Sequence, residues 1–176
     1  AVTVTLSNGV QRTLSAEVPE AYEITGWDLT VESWTPGETA SRTEQLEGSS
    51  IVTTEYAVLT NKTNINAQLY KLTTWDNIPE VGKEVSGKGY YAAKFNWDGE
   101  ADGAYLNLGD LSSSMEVTIN GVKTADVNMN NAVLDIGDYL VEGENEIIVE
   151  VISNLENSSR GKPNQTYGLV GECFVD

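Results

Sequence analysis

The 176-residue chain carries 27 acidic against 10 basic residues, a formal charge of −17 at pH 7, and its 40% hydrophobic content can close a core without disulfides or a structural metal. That charge repels phosphate backbones and anionic bilayers and leaves no basic stripe, which excludes nucleic acid and membrane surfaces as partners. Histidine is absent and Cys173 is the single cysteine, so Ser-His-Asp and Cys-His chemistry, the commonest transition-metal ligand and an internal disulfide are excluded together.

The chain opens with Val2, Val4 and Leu6 alternating with threonines up to Ser7-Asn8-Gly9, after which Val10, Arg12 and Leu14 resume. This pattern predicts an antiparallel hairpin with an Asn-Gly turn. The same AVTVTLSNGV opening has neither the charged start nor the long apolar stretch of a signal peptide, and no run of about eighteen apolar residues follows anywhere. Tyr22 to Ile24 and Trp27 to Trp34 predict strand up to Pro36-Gly37, and the polar stretch from Glu38 to Ser50 reads as a loop. Ile51 to Leu59 and Ala67 to Leu72 supply two further apolar segments.

From residue 75 onward the pattern is regular, with short strands predicted at Gly89 to Phe95, Ala104 to Leu108, Met115 to Ile119, Ala132 to Ile136, Glu146 to Ile152 and Tyr167 to Val175. Turn residues separate them: Asp98-Gly99, Gly109-Asp110, Asn120-Gly121, Glu142-Gly143 and a long loop from Asn154 to Gln165. No stretch has helical spacing with caps at both ends, which leaves room for short helices only, around Ile78 to Val81 or Gly137 to Leu140. Short strands at spacings near ten residues predict an antiparallel sandwich.

The strings GYYAAKFNWDG, AYLNLGDL, MEVTINGV, LDIGDYLVEGENEIIVEVISNLEN and YGLVG fall in that order after Trp75. In order and spacing they resemble the galactose-binding-like jelly-roll domain attached to bacterial glycoside hydrolases, above all the accessory β-sandwich of α-L-rhamnosidase-type and β-galactosidase-type enzymes. Phe95, Leu108, Gly109, Asn120, Gly121, Asp135, Ile136, Leu140, Gly143, Asn145, Asn154, Tyr167, Gly168, Leu169 and Gly171 occupy the family's slots. The chain departs from it at Asn128, Met129, Asn130 and Asn131, where such domains place a Pro and an aromatic or Arg, and at Glu172, where a Pro often stands. The resemblance implies a non-catalytic accessory module that binds sugar.

Sugar recognition needs an aromatic face for the C–H side of a pyranose ring and polar groups that replace the hydration of its hydroxyls. Trp97 at a strand end, Tyr167, and the loop residues Asn154, Asn157, Arg160 and Asn164 have that chemistry, and Trp97, Asn154, Arg160 and Tyr167 are the candidate ligand-binding rim. Each has a plainer alternative, a packed corner for Tyr167 and a solvated loop for the amides. Asp98, Glu100 and Asp102 at alternate positions imitate the first half of a calcium loop, yet Gly109 stands where the closing Glu would be, and a hairpin loop joining Phe95 to Ala104, kept soluble by acids, accounts for them better. Without histidine a glycosidase pair would come from carboxylates such as the clustered Asp98, Glu100, Asp102 and Asp110, though among 27 acids such neighbours are expected on a solvated rim.

The expectation is therefore an all-β chain, one antiparallel β-sandwich of jelly-roll type over residues 1–176, with 1–60 as N-terminal strands and 75–176 as the part resembling the galactose-binding-like module. Its expected role is a non-catalytic carbohydrate-binding module whose partners are an oligo- or polysaccharide and the catalytic domain of a glycoside hydrolase, in a secreted or bacterial cell-surface protein. The acidic surface disfavours polyuronates and favours neutral glycans. Calcium is the one candidate cofactor. Two rival expectations stand beside it: a structural domain that packs against a catalytic barrel, and a carboxylate-dependent glycosidase.

Overall fold

The computed structural model describes residues 2–14, 20–48, 51–57, 60–99, 103–111, 113–159 and 163–175. Its strands are β1 (Val2–Thr5), β2 (Gln11–Leu14), β3 (Tyr22–Glu23), β4 (Trp27–Pro36), β5 (Thr39–Gln45), β6 (Ile51–Ala57), β7 (Thr60–Leu69), β8 (Gly87–Trp97), β9 (Tyr105–Asn107), β10 (Asp110–Leu111), β11 (Ser114–Ile119), β12 (Val122–Lys123), β13 (Val133–Asp135), β14 (Gly143–Ile152), β15 (Leu169–Val170) and β16 (Phe174–Val175). Among the described residues helix is confined to one α-helical turn, α1 (Glu156–Ser159), and 3-10 turns at Trp75–Asn77 and Gly137–Tyr139.

Two antiparallel layers make the body, a six-stranded sheet in the order β12-β11-β14-β8-β4-β7 and a four-stranded sheet in the order β13-β9-β16-β3. The all-β sandwich read from the sequence is thus the fold. Alternation decides which side chains enter the core: along β8, Gly89, Tyr91, Ala93 and Phe95 are buried while Lys94 and Asn96 are exposed. Trp27, Leu29 and Val31 of β4 and Ile147, Val149 and Val151 of β14 repeat the pattern, and Leu106, Leu134 and Val175 meet them from the opposite layer.

Three expectations are corrected. The stretch from Glu38 to Ser50, read as a loop, contains β5, paired with β6 from Thr39↔Ala57 to Gln45↔Ile51. Its residues are mostly exposed, so no apolar alternation marks it; cross-strand contacts such as Thr43 Oγ1 to Thr53 Oγ1 at 3.0 Å accompany the pairing instead. The predicted segment Ala67 to Leu72 belongs to a longer strand, β7, that starts at Thr60 and follows β4 from Trp27↔Leu69 to Pro36↔Thr60. The predicted strand Tyr167 to Val175 is two short strands on different partners, β15 on β10 and β16 on β9 and β3. The N-terminal hairpin forms as read, with Gly9 at φ 79° and the Asn8 side chain accepting from Val10 N.

β8 begins where backbones crowd. Gly87 has φ 144°, and a Cβ there would lie 2.0 Å from Glu32 O, while Ser153 Oγ accepts from Gly87 N at 2.8 Å. Only glycine lets β8 start against β4 at this point. Gly87→Ala is expected to cost about 2–5 kcal/mol through strain and overpacking, read as a lowered urea midpoint with unchanged slope.

Candidate functional site

The sequence-predicted rim falls on two ends of the sheet. Trp97 closes β8 opposite Gly143, whereas Lys88 near the start of β8 pairs with Ile152, two residues before Asn154. Nine residues of strand at about 3.3 Å each put these ends roughly 30 Å apart. Trp97 therefore shares no pocket with Asn154 or Tyr167, and the single-rim expectation is corrected to that extent; Arg160 lies outside the described residues.

At the Asn154 end the polar groups are engaged by their own backbone. Asn157 is 4% exposed. Its amide donates to Gln165 O at 2.7 Å and its Oδ1 accepts from Gln165 N at 3.0 Å and Asn164 N at 3.2 Å, which folds the loop over itself. Asn154 Oδ1 accepts from Glu156 N at 2.9 Å and from the Tyr167 hydroxyl. Tyr167 is buried, with its ring edge-on to Trp75 at 5.8 Å, so it offers no face to a sugar. The packed-corner alternative describes its surroundings.

The other motif residues are likewise internal ties. Trp75 Nε1 donates to Tyr91 OH at 2.8 Å, and Leu169 N donates to the same oxygen at 3.1 Å. Gly168 passes so close that a Cβ would sit 3.1 Å from both Tyr91 OH and Trp75 Cδ1. Asn145, fully buried, uses all four of its hydrogen-bonding positions: it accepts from Asn120 Nδ2 and Val141 N and donates to Val141 O and Gly143 O. Asn120, at φ 50°, also donates to Tyr139 O and accepts from Glu146 N. The Asn-Gly hairpin and the G-E-N strand are stapled together by these amides.

The Trp97 end has groups that face outward. Trp97 is half-buried and packs one side on the core. Tyr22 donates its hydroxyl to Asn96 O at 2.9 Å, and its ring lies 6.5 Å from Phe95. Burial raises the Tyr22 pKa, and the Asp98 carboxylate raises it further, which places that negative charge beside the phenol. Gly99, at φ 74°, backs onto the Glu142 side chain. An indole, a phenol and two carboxylates thus border one end of the sandwich. They can stack on a ring and accept from hydroxyls. Tyr22 and Glu142 were not singled out from the sequence: Tyr22 reaches this end only through β3–β16 pairing, and nothing distinguishes Glu142 among 27 acids.

Of the calcium candidates, Asp98 is exposed, and Glu100 and Asp102 lie outside the described residues. Among the described residues no three Asp, Glu or Cys side chains come together as a metal cage. The backbone of Asp110 is in register with Val170 in β15, next to Leu169, whose N–H bonds to Tyr91, about 20 Å along β8 from Asp98.

No protein-family model matches the chain, and no curated protein does. Solved structures do. A rhamnosidase from Novosphingobium sp. PP1Y superposes with a TM-score of 0.59 at 17% identity, over 93% of this chain and 16% of its own. An FMN-binding beta-glucuronidase from Facaelibacterium prausnitzii L2-6 matches 89% of this chain and 22% of its own at 16% identity and a TM-score of 0.49. A beta-glycosidase from Bacteroides vulgatus matches 90% and 20%, at 16% identity and 0.46. At the first of these scores, the chain is similar in fold to a small part of a much longer rhamnosidase, 16% of its length.

Burial pushes the Tyr91 pKa up to about 12 from 10.0, and burial with the Glu23 charge pushes Cys173 up to about 12 from 9.0. The unfolded chain loses these protons first, so their stabilisation is complete below pH 9 and falls between pH 9 and 12 by about 1.4 kcal/mol per pH unit for each ionising group. Urea melts from pH 8 to 11 should show this decline, starting nearer pH 10 in Cys173→Ala. At pH 7, Tyr91→Phe should cost about 2–5 kcal/mol, because it orphans the Trp75 and Leu169 donors.

Proposed function

We propose that the chain is a non-catalytic accessory module, of the galactose-binding-like jelly-roll type, within a secreted or cell-surface glycoside hydrolase, and that it binds neutral glycans. The observation that carries this reading is the superposition of 93% of the chain on 16% of a rhamnosidase. A fold that recurs as a small portion of a larger enzyme suits a supporting role better than turnover by itself. The module would hold polysaccharide near a separate catalytic domain, so that weak binding acts through effective concentration. Trp97 supplies the stacking face, and Asp98 and Glu142 accept hydroxyl hydrogen bonds. The net charge of −17 opposes polyuronates.

A second reading is favoured by one feature. The β5–β6 ribbon exposes Leu46, Ile51, Val52 and Tyr56, and an isolated two-stranded ribbon is marginal in water. Packing against a catalytic domain would cover it and leave the module with a purely structural task.

Electrophoresis through gels containing neutral polysaccharides separates the two. Retardation that weakens about tenfold in Trp97→Ala fits glycan binding at that end. Unretarded migration in every gel supports the structural reading. Repeating the gels with chelator reads out calcium: mobility restored by EDTA would place a cation in the site.

A further inference from the structure

The outer face of the six-stranded sheet carries a second feature, on the side of β8 opposite to Trp97, which shares the inward parity of Tyr91, Ala93 and Phe95. Its register sets Gln68, Asp28, Ala92 and Ile148 side by side across β7, β4, β8 and β14. One row further toward the strand ends, Tyr70 lies against Gly26, whose N–H donates to Tyr70 O at 3.0 Å, and Lys94 pairs with Glu146. Gly26 and Ala92 are the two positions with little or no side chain, and their neighbours stand up around them. A hollow of about 210 Å³ results, lined by Gly26, Asp28, Ala92, Ala93, Lys94 and Glu146. A neighbouring one of about 320 Å³ shares Gly26 and Asp28 and extends to Gln68 and Tyr70.

The chemistry of this surface is specific. Tyr70 is 75% exposed, an unusual state for a large aromatic ring. Asp28 accepts from Gln68 Nε2 at 3.1 Å, which aligns a carboxylate with an amide. Thr30 and Asn66, bonded at 2.9 Å, continue the polar row. Lys94 provides a donor on the far side, held by Glu144 at 2.7 Å. An aromatic face, mixed donors and acceptors, and a floor without bulky side chains are what a pyranose ring requires. A protein partner would favour a continuous apolar patch, which this row of amides and charges is not.

We infer that this face, from Tyr70 across Asp28 to Lys94 and Glu146, is a glycan-binding surface independent of the Trp97 end. The inference rests on the glycan-binding reading and extends it, because a chain laid across β7, β4, β8 and β14 spans three strand spacings, about 14 Å, and meets more than one sugar ring. The ligand class is a neutral oligosaccharide: Asp28 and Glu146 accept from hydroxyls and repel uronates, and Lys94 donates to a ring or hydroxyl oxygen.

The test is amide chemical-shift mapping of the full chain, titrated with galacto-, manno-, gluco- and xylo-oligosaccharides of three to six residues. Perturbations at Gly26, Gln68, Ala92 and Lys94 are expected. They should be lost in Ala92→Arg, which fills the hollow, and weakened about tenfold in Tyr70→Ala, while Trp97→Ala leaves them unchanged. Both positions lie on the outer face, and the unchanged core resonances of each variant report that it folds. Shifts confined to Trp97 and its neighbours, with Ala92→Arg binding as well as the parent, overturn this inference and keep the broader reading. Spectra unmoved by every oligosaccharide overturn both.

Discussion

The phenolic oxygen of Tyr91 is the point on which the body of the molecule closes. Trp75, from the long connection between β7 and β8, and Leu169, from the C-terminal segment, both donate to it, and Gly168 gives way so that the three can meet. Tyr91 itself lies in β8, the strand that pairs with both β14 and β4 in the six-stranded sheet. One oxygen thus joins a central strand, a covering segment and β15. A buried polar atom with partners on separate segments specifies a unique packing more firmly than apolar contact alone, since each alternative arrangement leaves a donor unpaired.

This constraint explains why so many motif residues are tied to the protein's own backbone and side chains. Tyr167, Gly168 and Leu169 are required by the closure around Tyr91. Asn120, Gly143 and Asn145 are required by the staple between the β11–β12 turn and the segment entering β14. The two glycan-binding places we propose, the Trp97 end and the outer face of the six-stranded sheet, lie where the fold makes no such demand. Rigid strands hold both places still and leave their side chains free to vary.

The edges follow a different logic. Among the described residues β5 and β6 pair with each other and with no other strand, as do β1 and β2. Their exposed valines, isoleucine and tyrosine lie outside the core cluster. Glu44 and Glu55 charge the β5–β6 ribbon against edge-to-edge pairing of copies, whereas the β1–β2 ribbon carries no acidic residue.

Much of the sandwich was legible in the residue order. Alternation in β4, β8, β11 and β14 announces strands and says which side chains point inward, because a pleated chain has a period of two whatever it pairs with. The Asn8-Gly9 and Asn120-Gly121 turns are local chemistry and read directly. The absence of histidine limits the available catalysis before any coordinate is known. Period two does not say which strand lies alongside, nor at which end a residue emerges. Only pairing in three dimensions set Trp97 and Asn154 at ends of the sheet roughly 30 Å apart, turned the polar stretch after Glu38 into a strand, and brought Tyr70, Asp28 and Lys94, distant in sequence, onto one face. The amides from Asn154 to Gln165 have the composition of a binding loop, and whether a hydrogen bond goes to a ligand or to the backbone is a matter of distance and burial, which composition does not contain.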